Sequence, residues 1–507
     1  MADIKSAQKL LNDVPRNDAL KALQELTDWI ESVRDHADFH VDQRFDALSL
    51  LDEAARPHMR KLVREYFSAQ APSKFQENRT WMALNAFFSQ NEQAYFKVLV
   101  AYRNGDKGSS AVKPSLPLVA ARGIYAVMGR LLVAAARYEQ ADPVVWAHLA
   151  EFYSHAEEQK YLDQPLKLYA TQTQELSVRN IFAAVLMWYA PGSATLLPFH
   201  MHLAERLTSH FRRYFSVDAR ITQDSLICFD LAHPGPPMRV MADTKPLPGM
   251  RFLGAGEVRP HLEALLKVLE KNIVPQDINL GGVYEASVVK EAARHMFRYW
   301  SAPPPMRNHV RHPVKMSMSV AIGFDSILKQ GAIEPGFDDQ IVSTSDGEVI
   351  QIWEVNDISA TGFRCVLPAK SAEGVKIGSL IGLKPENVEH RGVGMVRRLS
   401  RDAQNNLHVG VEILSRHIDN ILLRAHGGSR VKGVEIALWL GKPGDDVGEV
   451  CLLMGAHDFS MSRSLNVQFE GKDYLLIPLA LLERGGDYDL ARYRKVEEDS
   501  TVAVDEA

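Results

Sequence analysis

The stretch PVKMSMSVAIGF, residues 313–324, decides how the C-terminal half of this chain folds. Val314, Met316, Met318, Val320, Ile322 and Phe324 alternate without a break with small or polar residues. A period of two puts all six on one face, so the stretch is predicted to be a β-strand buried on one side. Further strand-like runs follow in VIQIWEV, GFRCVL, SLIGL, GVGMVRRL and LHVGVEIL, the last alternating through Leu407, Val409, Val411 and Ile413. Short strands at regular spacing, with Gly, Asn and Asp between them, predict a barrel or sandwich.

Immediately upstream stands SAPPPMR. Pro303, Pro304 and Pro305 cannot continue a helix and favour stiff extended backbone, so residues 301–306 are predicted to be a linker. Before it, residues 1–215 read as helix after helix, a bundle or short α-solenoid. In NDALKALQELTDWIESV, Leu20, Leu23, Trp29, Ile30 and Val33 share a helical stripe with Asn17 or Asp18 as N-cap. DPVVWAHLAEFY opens on Asp142 as cap and Pro143 at the first helical position. Pro57 is expected to end or kink the helix that begins near Asp42. RNGDKGSS and YAPGSA mark connections. Residues 216–300 mix a strand, SLICFDLAH, with two amphipathic helices and read as a small α/β segment closing the N-terminal half.

Beyond the predicted barrel (307–417), residues 430–496 form another β-rich block. Its candidate strands are VCLLMG, LNVQF, YLLIPLALL and YDLARYRKV, with EGKD as a hairpin turn. The acidic tail 497–507 lacks large apolar groups and is expected to be disordered. The fold class is therefore multidomain α+β: a mostly helical half, then an antiparallel β-barrel and a further small β-rich domain.

The 507 residues carry 58 basic and 63 acidic side chains, a formal net charge of -5. That balance argues against a chain-wide nucleic-acid or membrane-surface binder. Cys228, Cys365 and Cys451 lie far apart without metal-ligand spacing and read as reduced thiols in a cytoplasmic protein. The N-terminus lacks the layout of a signal peptide, and the most apolar run, YAVMGRLLVAAARY, is interrupted by Arg130 and reads as too short to span a membrane.

Two short patterns carry the chemistry. RNHVR places Arg307 and Arg311 at R-x-x-x-R directly after the prolines, and DISATG places Asp357, Ser359 and Gly362 at D-x-S-x-x-G between two predicted strands. Alone, the first reads better as a solvated surface and the second as an Asx-turn with a glycine cap. In this order, closed by LHVGVEIL, they resemble the two-part signature of PilZ domains over residues 303–417, about a fifth of the chain. The resemblance implies a receptor for the bacterial second messenger cyclic di-GMP, with no cofactor, no metal and no catalysis. The polar insertion from about Lys329 to Gly347 is longer than the family's compact form.

The residue types suit that ligand. An arginine's planar fork bonds the guanine O6 and N7 acceptors in pairs, stacks on the ring or grips a phosphate. A carboxylate complements the N1–H and N2–H₂ donors on guanine's other edge, so Asp357 is expected to read the base that Arg307 and Arg311 hold. Ser359 donates to a phosphate or shapes the turn, and Gly362 supplies a positive φ or a close approach. Asn308, His309 and Arg364 are secondary candidates.

Other patterns in the sequence read as structure. Glu263, Ala264 and Leu265 match the tripeptide naming a class of cyclic di-GMP phosphodiesterase but sit in an amphipathic helix. RGGDYD resembles the cyclase signature GGDEF without its Glu and Phe and reads as a hairpin turn. HDFSMSR, with Asp458, Ser460 and Arg463, echoes D-x-S-x-x-G without the glycine. LGAGEV lacks the third glycine of a dinucleotide fingerprint. His200 and His202 have no second ligand set, and Cys228, Asp230 and His233 are merely close in sequence. The expectation is a non-enzymatic cyclic di-GMP receptor whose helical half meets a protein partner, with no nucleic-acid polymer and no membrane span. The alternative is a structural adaptor whose barrel does not bind nucleotide.

Overall fold

Asp18 starts the first long helix, its carboxylate accepting a hydrogen bond from the Lys21 N–H at 3.0 Å. Along Ala19–Asp35, Leu23, Leu26, Ile30 and Val33 are buried, while Leu20 and Trp29 pack at the margin of the same core. In the computed structural model, residues 8–15, 17–68, 73–301, 309–331, 351–386, 388–426, 434–441 and 448–498 are described. The chain divides into two units, Met1–Met306 and Arg307–Ala507.

In the first unit, Val41–Tyr66 runs as one helix of 26 residues straight through Pro57, which does not end it. The missing N–H costs about 3 kcal/mol in a helix interior. Leu48, Leu51 and Ala55 before it, and Met59 and Leu62 after it, are buried in one core, and this packing outweighs the local penalty. Ser73 caps Lys74–Arg103, and Asp142 caps Pro143–Glu158 with Pro143 at the first helical position. Leu116–Ala136 is apolar nearly all round. Together with the turn before it, from Ser109, it is long and apolar enough by length and composition to cross a membrane, contrary to the length read from sequence. However, 78% of its most apolar window is buried inside the protein, as in a core helix. Gly123 and Gly129 are required there because a Cβ would collide with the rings of Phe152 and Phe88.

That core also contains a polar knot. Asp52 is buried and accepts from the hydroxyls of Tyr95 at 2.8 Å and Tyr169 at 3.3 Å. The Arg122 guanidinium stands 3.8 Å from it and donates through Nε to the Leu168 carbonyl at 2.9 Å. Burial pushes the Asp52 carboxyl up, against the pull of Arg122.

The mixed segment forms a small antiparallel sheet of β1 (Ser216–Asp218), β2 (Ser225–Asp230), β3 (Met238–Arg239) and β4 (Met250–Gly254), in the order β1-β4-β2-β3. Its helices Val258–Leu269 and Ala286–Trp300 bury Leu262, Leu265, Val289, Met296 and Trp300 in the same core as the preceding helices.

The second unit holds two closed six-stranded antiparallel barrels. The first comprises β5 (His312–Ile322), β6 (Gln351–Ile358), β7 (Gly362–Leu367), β8 (Leu380–Pro385), β9 (Gly392–Arg401) and β10 (Leu407–Ser415). Met318 and Val320 point into it, as the alternation requires, with Trp353, Val355, Phe363, Val409 and Val411. Phe324 does not extend β5. Gly323, at φ +91°, turns the chain into a helix, Phe324–Gly331. Residues 332–350, most of the polar insertion, lie outside the described residues.

The second barrel begins at His417, ahead of the boundary read near 430. Its strands are β11 (His417–Ala425), β12 (Val434–Gly441), β13 (Glu449–Gly455), β14 (Leu465–Phe469), β15 (Lys472–Arg484) and β16 (Tyr488–Glu497). Counting strands one to six within each barrel, both rings run 1-2-3-6-5-4, so the second repeats the topology of the first. Glu470 and Gly471, both at positive φ, form the two-residue hairpin turn between β14 and β15. β16 extends to Glu497, the first residue of the predicted tail, and residues 499–507 lie outside the described residues. A shared apolar cluster joins the barrels, with Val393 and Met395 of β9 packing with Leu438, Leu440, Leu453 and Tyr488.

Candidate functional site

The β6–β7 turn, residues 359–361, anchors the site. Both the N–H and the Oγ of Ser359 donate to the Gly362 carbonyl, at 2.7 and 3.1 Å. Of its two expected roles, Ser359 thus takes the turn-shaping one. Gly362 has no positive φ. It is needed because a Cβ would collide with the Val411 carbonyl oxygen of β10, where Gly362 pairs with Glu412. The close approach is made by neighbouring backbone.

Asp357 lies between β5 and β7, paired in register with Pro313 and Arg364. Register shifts on both sides, between Val355 and Asp357 on β6 and between Pro313 and Met316 on β5, mark a local bulge that re-aims its side chain. Arg311 donates through Nη1 to Asp357 Oδ1 at 2.9 Å. The Arg364 Nε stands 2.7 Å from Oδ2 as an ion pair without an aligned hydrogen bond. The carboxylate is mostly covered, at 13% exposed, whereas the two arginines are 37% and 43% exposed. An acceptor is thus held at the barrel rim between two solvent-facing forks. Asp357 also reaches inward: burial, with its negative charge adding to the effect, pushes the Cys365 thiol up to about 12.

Of the residues picked from sequence, Arg311, Asp357, Ser359, Gly362 and Arg364 come together here. His309 is exposed next to them in sequence, and Arg307 and Asn308 lie outside the described residues. Sequence reasoning missed Arg416, whose Nη2 donates to the Ala360 carbonyl at 3.3 Å. The available signal was its place directly after the closing strand, four residues beyond Glu412, which pairs with Gly362. Three arginines therefore surround one turn and one carboxylate, an arrangement able to grip phosphate and the acceptor edge of a purine while the carboxylate takes donors.

The other signals resolve differently. Asp230 accepts from the Ala232 N–H at 2.9 Å and meets His233 Nδ1 at 3.2 Å, but Cys228 is buried against Met250 and Phe252. His200 meets Glu291 at 3.1 Å, and Glu263 pairs with Arg259 one turn away. Asp458 lies between the third and fourth strands of the second barrel, whereas Asp357 ends the second strand of the first. The turn equivalent to 359–361 falls at 442–447, outside the described residues. Among the described residues no three His, Cys, Asp or Glu side chains are grouped to hold a metal.

No curated protein and no solved structure matches the chain. Residues 5–221, less than half of the chain, match the family model described as "Cyclic-di-GMP receptor FimW, N-terminal domain". Through this helical region the chain is similar to a cyclic di-GMP receptor family.

Proposed function

We propose that this protein is a bacterial cyclic di-GMP receptor of the PilZ-like kind that binds the dinucleotide on its first barrel. The carrying observation is the Asp357 carboxylate held at 2.9 Å by Arg311 and at 2.7 Å by Arg364 beside the β6–β7 turn. Two independent lines support the reading: the ordered R-x-x-x-R and D-x-S-x-x-G patterns, and the receptor family matched by residues 5–221. In the free protein Arg311 and Arg364 satisfy Asp357. The ligand exchanges these contacts: its guanine N1–H and N2–H₂ become the donors to Asp357, and the freed guanidinium groups, with Arg307, take the phosphates and the O6/N7 edge. The receptor is non-enzymatic and passes binding to a protein partner of the helical half, which requires the ligand to favour one arrangement of the protein over another.

Base selectivity tests this. Adenine lacks both donors that Asp357 is assigned to read, and a site built for a donor rejects a ligand without it strongly. Cyclic di-GMP should bind at least ~100-fold more tightly than cyclic di-AMP in parallel titrations. Equal affinity for both removes the role assigned to Asp357, and binding of neither leaves the adaptor reading.

A further inference from the structure

The first unit contains a cavity of about 550 Å³ that the barrel site does not explain. Its charge is one-sided: Arg60, Lys61, Arg64 and Arg206 line it, with Glu205 as the lining carboxylate. More positive charge stands behind the wall. Arg56 is 5% exposed, lies 3.5 Å from the Tyr169 ring centre, and leaves Nε and Nη1 without partners. Arg212, whose Nε also lacks a partner, is pushed down to about 10 by burial and further by Arg206 and Arg56, against the pull of Glu205. Like charges gathered at a concave, partly desolvated surface repel one another, and an anion relieves that repulsion.

The floor narrows the class of anion. Phe88 and Tyr125 offer aromatic surface, and Gly129 is the residue that lets the Phe88 ring lie against the helix backbone. His202, 4% exposed and lining the cavity, keeps Nδ1 without a partner, and buried Glu205 accepts from the Ser209 hydroxyl at 2.7 Å. An alkyl chain would strand these polar groups, whereas a heterocyclic base carries donors and acceptors for them. The loop Asn279–Gly282 closes one side, held by Arg206 Nε donating to the Asn279 carbonyl at 2.8 Å. The size lies within the range of small-molecule sites.

We infer that this cavity is a second ligand site, taking a nucleoside phosphate with its phosphates on Arg60, Arg64 and Arg206 and its base on the floor beside Tyr125, His202 and Glu205. It lies wholly within the first unit and involves no residue of the barrel site.

The test uses the full chain carrying Asp357→Ala, which silences the barrel. Guanosine triphosphate and inorganic pyrophosphate are titrated into it by calorimetry, with and without Arg60→Glu or Arg206→Ala. Arg60 is exposed and its replacement relieves repulsion within the basic cluster, so the substitution should not lower the melting temperature of the free protein. The expected result is that the nucleotide binds at least about tenfold tighter than pyrophosphate, and that either cavity substitution weakens it by about tenfold or more. Three results overturn the inference: no nucleotide heat from folded protein, equal binding of the two probes, or nucleotide binding that survives Arg60→Glu.

Discussion

Gly362→Ala separates the structural demand of the turn from its chemistry. The added Cβ collides with the Val411 carbonyl oxygen, and that neighbour is backbone in a closed barrel that cannot rotate away. Restoring an ordinary C···O separation of ~3.3 Å requires β7 and β10 to part by about 1 Å. That movement breaks the Ile413 N–H to Thr361 carbonyl hydrogen bond, now 2.9 Å. Overpacking costs about 1–3 kcal/mol, the lost bond about 1 kcal/mol, and the reduced freedom of the unfolded chain returns about 0.4–1 kcal/mol. The net loss is about 2–3 kcal/mol. Hydrogen–deuterium exchange on the full chain reads it locally: amides of 363–367 and 409–413 should exchange roughly 30- to 150-fold faster. Gly486→Ala is the control, because Gly486 has open space and no positive φ. Protection at β7 and β10 equal in the two variants would refute the argument.

Three further outcomes follow from the same geometry. Asp52→Ala removes the acceptor of two buried hydroxyls and one of the two carboxylates paired with Arg122, Glu53 remaining, so the first unit should lose about 2–4 kcal/mol in urea unfolding. Burial holds His202 down at about 4, and burial, then Arg298, does the same for His295. The folded state stays neutral while the unfolded chain takes up protons below about 6.5. Stability is therefore full above that pH and falls towards pH 4, by up to about 3 kcal/mol per histidine. Urea midpoints at pH 7, 5.5 and 4.5 check this, with a shallower slope in His202→Asn. Leu440→Ala, in the cluster joining the barrels, should cost about 2–5 kcal/mol and lower exchange protection in both barrels together.

What the sequence made legible depended on how many sides each element buries. β5 has one apolar face, so its period of two stood out, as did the helical stripes of the first unit. β12 did not, because VEIALWLG is apolar on both sides. Ala437 and Trp439 face their own barrel, while Leu438 and Leu440 face the cluster shared with the first, so no alternation remains. β11 was hidden for the same reason: Ile418 faces the shared cluster while Ile421 and Leu423 face their own barrel, so the buried positions do not keep one alternation. Pro57 misled because a local rule met a helix packed on both sides of it. At the site, Asp357 was visible from its motif, but its pairing with Arg364 depends on the β6–β7 register and the contact of Arg416 on barrel closure. Neither is encoded in local spacing.

The most direct measurement is calorimetric titration of the full chain with cyclic di-GMP, beside folded Asp357→Ala and Arg311→Ala variants. Two charge-assisted hydrogen bonds to Asp357, at about 1.5–3 kcal/mol each, predict a loss of ~100-fold or more in Asp357→Ala. Arg364 still pairs with Asp357 in Arg311→Ala, and an unchanged melting temperature of that variant checks that weakened binding does not reflect unfolding. Saturable binding by the parent, lost in both variants, is the result the account predicts. A silent parent with both barrels intact, or variants that bind as the parent does, would contradict it.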